Sequence, residues 1–263
     1  MRPPPEADIV APEFPRGLRW LNVSVVRMQT EIGRRATLIE FFDTARINSV
    51  RTRPYVNAWH ERYAGAGLRV IGVHSPGYSF GRERDVVAGA VERLGVSYPV
   101  VLDPDFVVWR EYGNRGWPGR YLFDHRGLLR YVHYGEGDYL DCEAAIGEVL
   151  SDLNEDFEPP PPLEPVRPED AEGVLLEPQT ADIALPADSE RLTLVRDWLP
   201  GEDYLEAEDA GAAAEFSYSG GSAWAVLSGA DRDPGLYEVS EGRVVADDPG
   251  VRLHGVQFTP KPP

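Results

Sequence analysis

Cysteine is almost absent from this chain of 263 residues, in which Cys142 is the only one. A single thiol excludes an intrachain disulfide and leaves no pair of sulfur ligands for a structural zinc ion. Cys142 lies on the apolar face of a predicted helix at residues 139–153. That position predicts a small buried side chain instead of a reactive thiol.

Long apolar runs and a recognisable leader are also missing. No stretch approaches the roughly eighteen consecutive apolar residues of a transmembrane helix, so we expect no membrane insertion. Residues 1–8 contain no apolar segment of the kind that a signal peptide needs, and we therefore expect a cytoplasmic location. The hydrophobic share of 42% and the charged share of 27% are typical of a soluble globular protein.

Positive charge is scarce in the second part of the chain. Residues 151–263 carry 25 acidic and 7 basic side chains, so the whole net charge of −18 lies there, whereas residues 1–150 carry 19 of each sign. A field of that sign repels nucleic acid, and we expect no nucleic-acid partner. Together with a proline-rich run, the asymmetry predicts a first domain at residues 1–155, a linker at 156–170 and an acidic domain at 171–263.

Patterns that bind metals or nucleotides are missing too. The 5 histidines are scattered and share no ligand spacing with Cys, Asp or Glu side chains. No glycine-rich phosphate loop occurs. We therefore expect neither a metal nor another cofactor.

The first part of the chain alternates apolar strands with helices, which favours an α/β fold. A buried strand at residues 36–42 runs through a short loop into a helix that begins near residue 47. Further strands are predicted at residues 68–74, 98–103, 120–124 and 128–134.

Beyond the linker the pattern changes to short apolar runs separated by Gly, Pro, Asp and Ser. Seven such runs with turn residues between them predict an antiparallel sandwich. The predicted strands are residues 192–198, 204–207, 212–218, 223–227, 235–239, 243–246 and 251–259.

Residues 46–55 resemble the active-site segment of the TlpA and DipZ type of thioredoxin-like proteins, which are related to AhpC/TSA. In that family a Cys-Ile-Asn-Cys motif at the start of a helix is followed by Ile/Val-Arg-Thr-x-Pro-Tyr. Ile47 and Asn48 match the motif, but Arg46 and Ser49 occupy its two cysteine positions. Further matches lie in the family's order at residues 11–14, 51–52, 54–59, 70–74, 98–103, 112–115, 117–118 and 134–137.

The resemblance implies a fold and a site. The first part is expected to be an α/β thioredoxin-like domain. The second is expected to be an all-β antiparallel sandwich, jelly-roll-like, that resembles a carbohydrate-binding module. The family's cis-proline implies a cis bond between Trp117 and Pro118. A groove is expected beside the degenerate motif, lined by Phe42, Asp43, His74, Trp117, Pro118 and Glu136.

No thiolate can form at the degenerate motif, because a serine hydroxyl is far too weak an acid to replace the missing thiol unaided. We therefore predict no catalytic residue there. The leading hypothesis is a redox-inactive protein that holds a peptide or protein partner in the groove.

Two alternatives stay open. The family's activity implies a thiol–disulfide or peroxide oxidoreductase, against which the loss of both cysteines counts directly. The other alternative is a carbohydrate-binding protein that exposes some aromatic side chains of its sandwich as a platform. The aromatic residues of that part are Trp198, Tyr204, Phe216, Tyr218, Trp224, Tyr237 and Phe258.

Arg46 is predicted to need a partner. It starts at the positive end of a helix, where an arginine is unfavourable by up to about 1 kcal/mol. Either a carboxylate or a bound anion would compensate; Asp43, which is nearer in the sequence, is favoured over Glu136 as the carboxylate.

Overall fold

The computed structural model describes residues 1–3 and 8–261. Residues 4–7 and 262–263, which belong to the predicted domains, lie outside the described residues. The Cα positions divide the chain into two compact units. The first unit comprises residues 1–44, 48–76 and 88–166, and the second comprises residues 45–47, 77–87 and those from 167 onwards. The predicted domain boundaries, which concern independent folding, stay a prediction.

The first unit is built on a mixed sheet whose strand order is β1-β4-β3-β2-β5-β6. Strands β2, β3 and β4 are parallel, and β5 and β6 form an antiparallel hairpin at one side. The strands are β1 (Arg19–Leu21), β2 (Ala36–Phe42), β3 (Leu68–His74), β4 (Val100–Leu102), β5 (Gly119–Phe123) and β6 (Leu129–Tyr134).

Five α-helices accompany this sheet along the described chain. They are α1 (Met28–Glu31), α2 (Ile47–Tyr63), α3 (Arg84–Arg93), α4 (Val107–Glu111) and α5 (Tyr139–Leu153). Every residue of β2 is buried, as expected for a central strand that is covered on both faces. The predicted α/β thioredoxin-like arrangement is confirmed.

The second unit is an antiparallel sandwich of two sheets, which confirms the predicted all-β fold class. One sheet has the order β13-β12-β15-β10-β9, with β7 also paired to β15, and the other has the order β14-β11-β8. The strands are β7 (Ile183–Ala184), β8 (Thr193–Val195), β9 (Trp198–Pro200), β10 (Leu205–Ala207), β11 (Ala212–Glu215), β12 (Ala223–Gly229), β13 (Gly235–Val239), β14 (Arg243–Ala246) and β15 (Val251–Phe258).

One predicted strand of the sandwich was wrong. Residues 192–198 were predicted as a single strand, but the structure ends β8 at Val195 and begins β9 at Trp198, in the opposite sheet. The reason is Arg196, whose φ of +65° lies in the left-handed region and turns the chain. A run of apolar residues does not show where a backbone leaves the extended conformation.

The proline-rich segment at residues 157–166 is held by hydrogen bonds within the first unit. The Arg62 guanidinium donates to the Pro161 carbonyl at 2.6 Å. The Leu163 N–H donates to the Glu143 carboxylate at 2.8 Å, and the Val166 N–H donates to the Tyr55 hydroxyl at 2.7 Å. No helix in the described ranges is both long and apolar enough to cross a bilayer.

Candidate functional site

The degenerate motif follows the carboxyl end of β2, where three strands of the first unit meet. Phe42, the last residue of β2, pairs with His74 at the end of β3. On the other side Phe41 pairs with Gly119, the first residue of β5. The Trp117–Pro118 bond directly before β5 is cis, as predicted. The register therefore brings the end of β2, His74 and Pro118 to one edge of the sheet.

Asp43 and His74 form a buried polar pair at this edge. The His74 Nε2 atom lies 3.6 Å from Asp43 Oδ1 and 3.5 Å from the Thr44 hydroxyl. Ser49, which occupies the second cysteine position, is 0% exposed. Its hydroxyl accepts a hydrogen bond from the Asp43 N–H at 3.2 Å. Ser49 therefore stabilises the loop between β2 and α2 and does not face solvent as a nucleophile.

Glu136, predicted both as a groove residue and as a partner of Arg46, is bound by Arg51. The Arg51 Nε donates to Glu136 Oε1 at 2.6 Å, and both side chains are mostly buried. This ion pair joins helix α2 to the segment after β6. The sequence contained a signal for Arg51, since it belongs to the stretch that matches the family, but its partner lies 85 residues away.

Arg46 lies in the second unit, where its guanidinium carbon is 4.8 Å from the centre of the Tyr78 ring. Such a cation–π contact places the positive charge over the negative face of the ring. The charge of Arg46 also acts electrostatically on Asp182 of the same unit. Burial raises the pKa of Asp182, and the charges of Arg46 and Arg191 oppose this effect. Pairing of Arg46 with Asp43 or Glu136 stays a prediction.

The motif backbone at residues 45–47 is held by Gln257 of β15, in the second unit. The Ile47 N–H donates to Gln257 Oε1 at 2.6 Å, and the Gln257 amide donates to the Ala45 carbonyl at 2.8 Å. The same amide donates to the Tyr78 hydroxyl at 3.0 Å. Gln257 thus satisfies one of the N–H groups that the start of helix α2 leaves without an intrahelical partner. Sequence reasoning missed Gln257, because no local pattern links positions 210 residues apart.

Three partly exposed aromatic rings form a cluster beside the cis-proline. The ring centre of Trp117 lies 4.6 Å from that of Trp109 and 6.2 Å from that of Phe106. The Trp117 indole N–H donates to the Ser75 carbonyl at 2.9 Å, which fixes the orientation of the ring. We call Phe106, Trp109 and Trp117 the aromatic cluster. Of its members only Trp117 was predicted as a site residue.

Cys142 is buried within the first unit, as predicted. Its side chain is 0% exposed, and burial raises the pKa of the thiol to about 11. At neutral pH the thiol is therefore protonated, and a thiol without a thiolate fraction is a poor nucleophile. Among the residues that the structure describes, no three His, Cys, Asp or Glu side chains are grouped so as to hold a metal ion.

The aromatic residues of the sandwich serve mainly as core. Phe258 is fully buried, and Trp198, Phe216, Tyr218 and Tyr237 pack against the core while keeping part of their surface exposed. An open cleft of about 650 Å³ lies beside Phe216. Its lining is both polar and charged, with Arg191, Thr193, Glu215, Phe216, Ser217, Glu241, Gly242 and Arg243.

The chain is similar in sequence to the protein DipZ. It is 35% identical over 173 residues to Protein DipZ of Mycobacterium bovis (strain ATCC BAA-935 / AF2122/97), which covers 65% of this chain and 25% of DipZ. The chain is also 29% identical over 140 residues to Protein SUPPRESSOR OF QUENCHING 1, chloroplastic, of Arabidopsis thaliana, covering 53% of this chain and 13% of that protein. The chain thus spans about a quarter of DipZ and less of the plant protein. No family model matches it.

A solved structure supports the fold. The crystal structure of the thioredoxin-like superfamily protein SPOA0173 superposes with a TM-score of 0.50 at 21% sequence identity, covering 57% of this chain and 99% of that chain. At this identity the likeness concerns the fold alone.

Proposed function

This chain is a thioredoxin-like protein homologous to DipZ, and from that relationship we propose that it binds an extended peptide or protein segment without thiol exchange. The homology to DipZ supports a family of the thiol–disulfide oxidoreductase type. In this chain the scaffold of that family is kept while its thiol chemistry is lost.

The loss of redox chemistry is supported by the state of the sulfur and of the motif. Thiol–disulfide exchange needs an exposed thiolate and, for turnover, a second thiol to resolve the mixed disulfide. Cys142 is the only cysteine, and it is buried with a pKa raised to about 11. The hydroxyl of Ser49 is buried and bonded to the loop backbone. Neither side chain can attack a disulfide presented at the sheet edge.

The binding role is supported chiefly by the aromatic cluster. Trp109, Trp117 and Phe106 keep part of their surface exposed, and Trp117 is bonded to Ser75, the residue after His74. Trp side chains are over-represented among the residues that carry binding energy at protein interfaces. An extended segment with an apolar side chain would place that side chain on these rings.

Reduction of insulin by dithiothreitol tests the first half of the proposal. We expect the purified chain to leave the rate of insulin reduction at the level of dithiothreitol alone. Acceleration by the wild-type chain that disappears in the Cys142→Ser variant would show that Cys142 is active and would overturn the redox-inactive assignment.

Selection of peptides from a phage-displayed random library on the immobilised chain tests the second half. We expect enriched peptides to contain an aromatic or large aliphatic residue. Their affinity should fall about tenfold or more in Trp109→Ala, because removal of an interface Trp costs 1.4 kcal/mol or more at a position that carries binding energy. Leu140→Ala serves as the control, since Leu140 is an exposed apolar residue of α5 in the same unit. Equal affinities for both variants and the wild type would contradict the proposal.

A second candidate function, carbohydrate binding by the sandwich, is favoured by the cleft beside Phe216. Arginine and glutamate side chains offer donors and acceptors for sugar hydroxyl groups, and Phe216 offers an apolar face. A glycan array tests this function. Binding that is lost in Glu215→Ala would support it, while an array without signal would remove the candidate.

A further inference from the structure

Three polar side chains of the second unit form a connected series that plays no part in the proposed binding site. Ser228 lies on β12, His254 on β15, and Asp203 in the turn between β9 and β10. The Ser228 hydroxyl is 2.7 Å from His254 Nε2. On the other side of the ring, His254 Nδ1 lies 3.0 Å from the Asp203 carbonyl oxygen and 3.3 Å from Asp203 Oδ1.

The surroundings of the His254 ring determine where its proton resides when the ring is neutral. Nδ1 faces two acceptor oxygens of Asp203, so Nδ1 carries the hydrogen. Nε2 then presents its lone pair to the Ser228 hydroxyl, which donates to it. This is the tautomer in which an imidazole can remove the proton of a serine hydroxyl.

Asp203 is itself held in place by Ser79 of the same unit. The Ser79 N–H and the Ser79 hydroxyl donate to its two carboxylate oxygens at 2.6 Å and 2.9 Å. Burial opposes ionisation of Asp203, but the hydrogen bonds from His254 and Ser79 outweigh it and lower its pKa to about 2. The carboxylate is therefore ionised at neutral pH and stabilises a positive charge on His254.

We propose that Ser228 is the activated nucleophile of an acyl-transfer site that accepts small carboxylic esters. Ser228 Oγ attacks the ester carbonyl carbon while its proton moves to His254 Nε2. The ester C–O bond then breaks, and the leaving alkoxide takes that proton. His254 then deprotonates a water molecule, which attacks the acyl-serine carbonyl carbon. The bond between the acyl group and Ser228 Oγ breaks, His254 returns the proton to Ser228 Oγ, and the carboxylic acid leaves.

Three aromatic rings lie around the His254 imidazole and favour a small, apolar acyl group. The ring centres of Phe80, Tyr204 and Tyr78 lie 4.9, 5.4 and 5.6 Å from that of His254. Ser228 is 5% exposed and His254 is 1% exposed, so little of either side chain reaches solvent, and the three rings pack around the imidazole. Removal of the Phe80 ring should therefore speed the entry of a reagent while Ser228, His254 and Asp203 are all retained.

Covalent labelling of the full chain with a small fluorophosphonate, followed by peptide mass spectrometry, tests the proposal. We expect the adduct on Ser228, with the exposed Ser217 unlabelled as an internal control. His254→Gln should slow the labelling by roughly 10²-fold or more, the usual contribution of a general base. Phe80→Ala should label faster than the wild type, and p-nitrophenyl acetate should be hydrolysed in the same order of variants.

If Ser228 stays unlabelled in both the wild type and Phe80→Ala, while thermal unfolding shows both to be folded, the three side chains form a buried hydrogen-bond network only. Labelling of Ser217 and Ser228 at equal rates would likewise overturn the proposal, because it would show that Ser228 is not activated.

Discussion

At the scale of single residues, the first unit contains a buried ion pair that is bonded to the degenerate motif through the Ser49 carbonyl. Glu40 of β2 pairs with Arg53 of α2, and both side chains are almost fully buried. Arg53 also donates to the Ser49 carbonyl at 3.1 Å and to the Tyr98 hydroxyl. Burial lowers the pKa of Arg53, because a buried site disfavours the charged guanidinium.

We expect Glu40→Ala to lower the free energy of unfolding by about 3–5 kcal/mol, because it leaves the Arg53 charge buried without a counter-charge. Urea denaturation measures this loss. The control is Glu148→Ala, since Glu148 pairs with Arg2 at the surface and both side chains are more than half exposed. Loss of that pair should cost under about 1 kcal/mol. Similar losses for the two variants would contradict the assignment.

The Cys142 thiol predicts a dependence of stability on pH. Burial raises its pKa from the ordinary 9.0 to about 11. Between these values the unfolded chain releases a proton that the folded chain retains, so stability falls as the pH rises. From pH 8 to 10.5 the wild type should lose roughly 2 kcal/mol more than Cys142→Ala, in which this group is absent. Urea unfolding of both proteins at the two pH values measures the difference, and parallel losses would refute the shift.

At the scale of elements, strand β15 contributes both to the contact with residues 45–47 and to the series of Ser228, His254 and Asp203. Gln257 binds the backbone of residues 45–47, and His254, three residues earlier, receives the Ser228 hydrogen bond. The β-bulge of β12 opposite β15, between Val226 and Leu227, lies close to Ser228. Bulges re-aim side chains locally, which is how a strand interior can present a polar residue.

Substitution of Gln257 tests its role at the start of helix α2. We expect Gln257→Ala to accelerate hydrogen exchange of the Ile47 amide and to destabilise the chain by about 1–3 kcal/mol, because buried partners lose their hydrogen bonds. Gln179→Ala is the matched control, since the exposed Gln179 amide donates to the Phe258 carbonyl at 3.0 Å. Unchanged exchange at Ile47 in Gln257→Ala would show that Gln257 does not protect this amide.

At the scale of the whole molecule, the backbone of the predicted linker at residues 156–170 is held differently from that of the segment that follows it. Residues 157–166 are bonded to α2 and α5 through Arg62, Glu143 and Tyr55. Residues 172–179 are mostly exposed, and Leu175 is 93% exposed. Proline content alone does not distinguish a free segment from one whose carbonyl and N–H groups have found partners.

Limited proteolysis with thermolysin should therefore cut first at Leu175 or Leu176 and spare residues 157–166, because proteases need an exposed backbone that can unfold locally. Mass spectrometry of the fragments locates the cut. Leu175→Asp combined with Leu176→Asp should slow this cleavage. Tyr55→Phe removes the hydroxyl that accepts the Val166 N–H and should make cleavage near Val166 detectable. First cleavage within residues 157–166 of the wild type would contradict the observed hydrogen bonds.

The amino-acid sequence by itself determined the properties that depend on local pattern and on residue type. The buried run at residues 36–42 predicted β2, the order of strands and helices predicted the α/β class, and the single cysteine excluded a dithiol. The Trp-Pro dipeptide at residues 117–118 and the matches around Ile47 indicated the homology to DipZ. Each of these features can be read from residue types and from local patterns along the chain.

Only the tertiary structure decided which distant side chains meet. Gln257 reaches Ile47 across 210 positions, and Asp203, Ser228 and His254 come from a turn and two strands. Strand register and sheet order create these contacts, and neither can be read from a period of two or 3.6 residues. The break of the predicted strand at Arg196 belongs here as well, because packing into two sheets selects its left-handed backbone over the extended one.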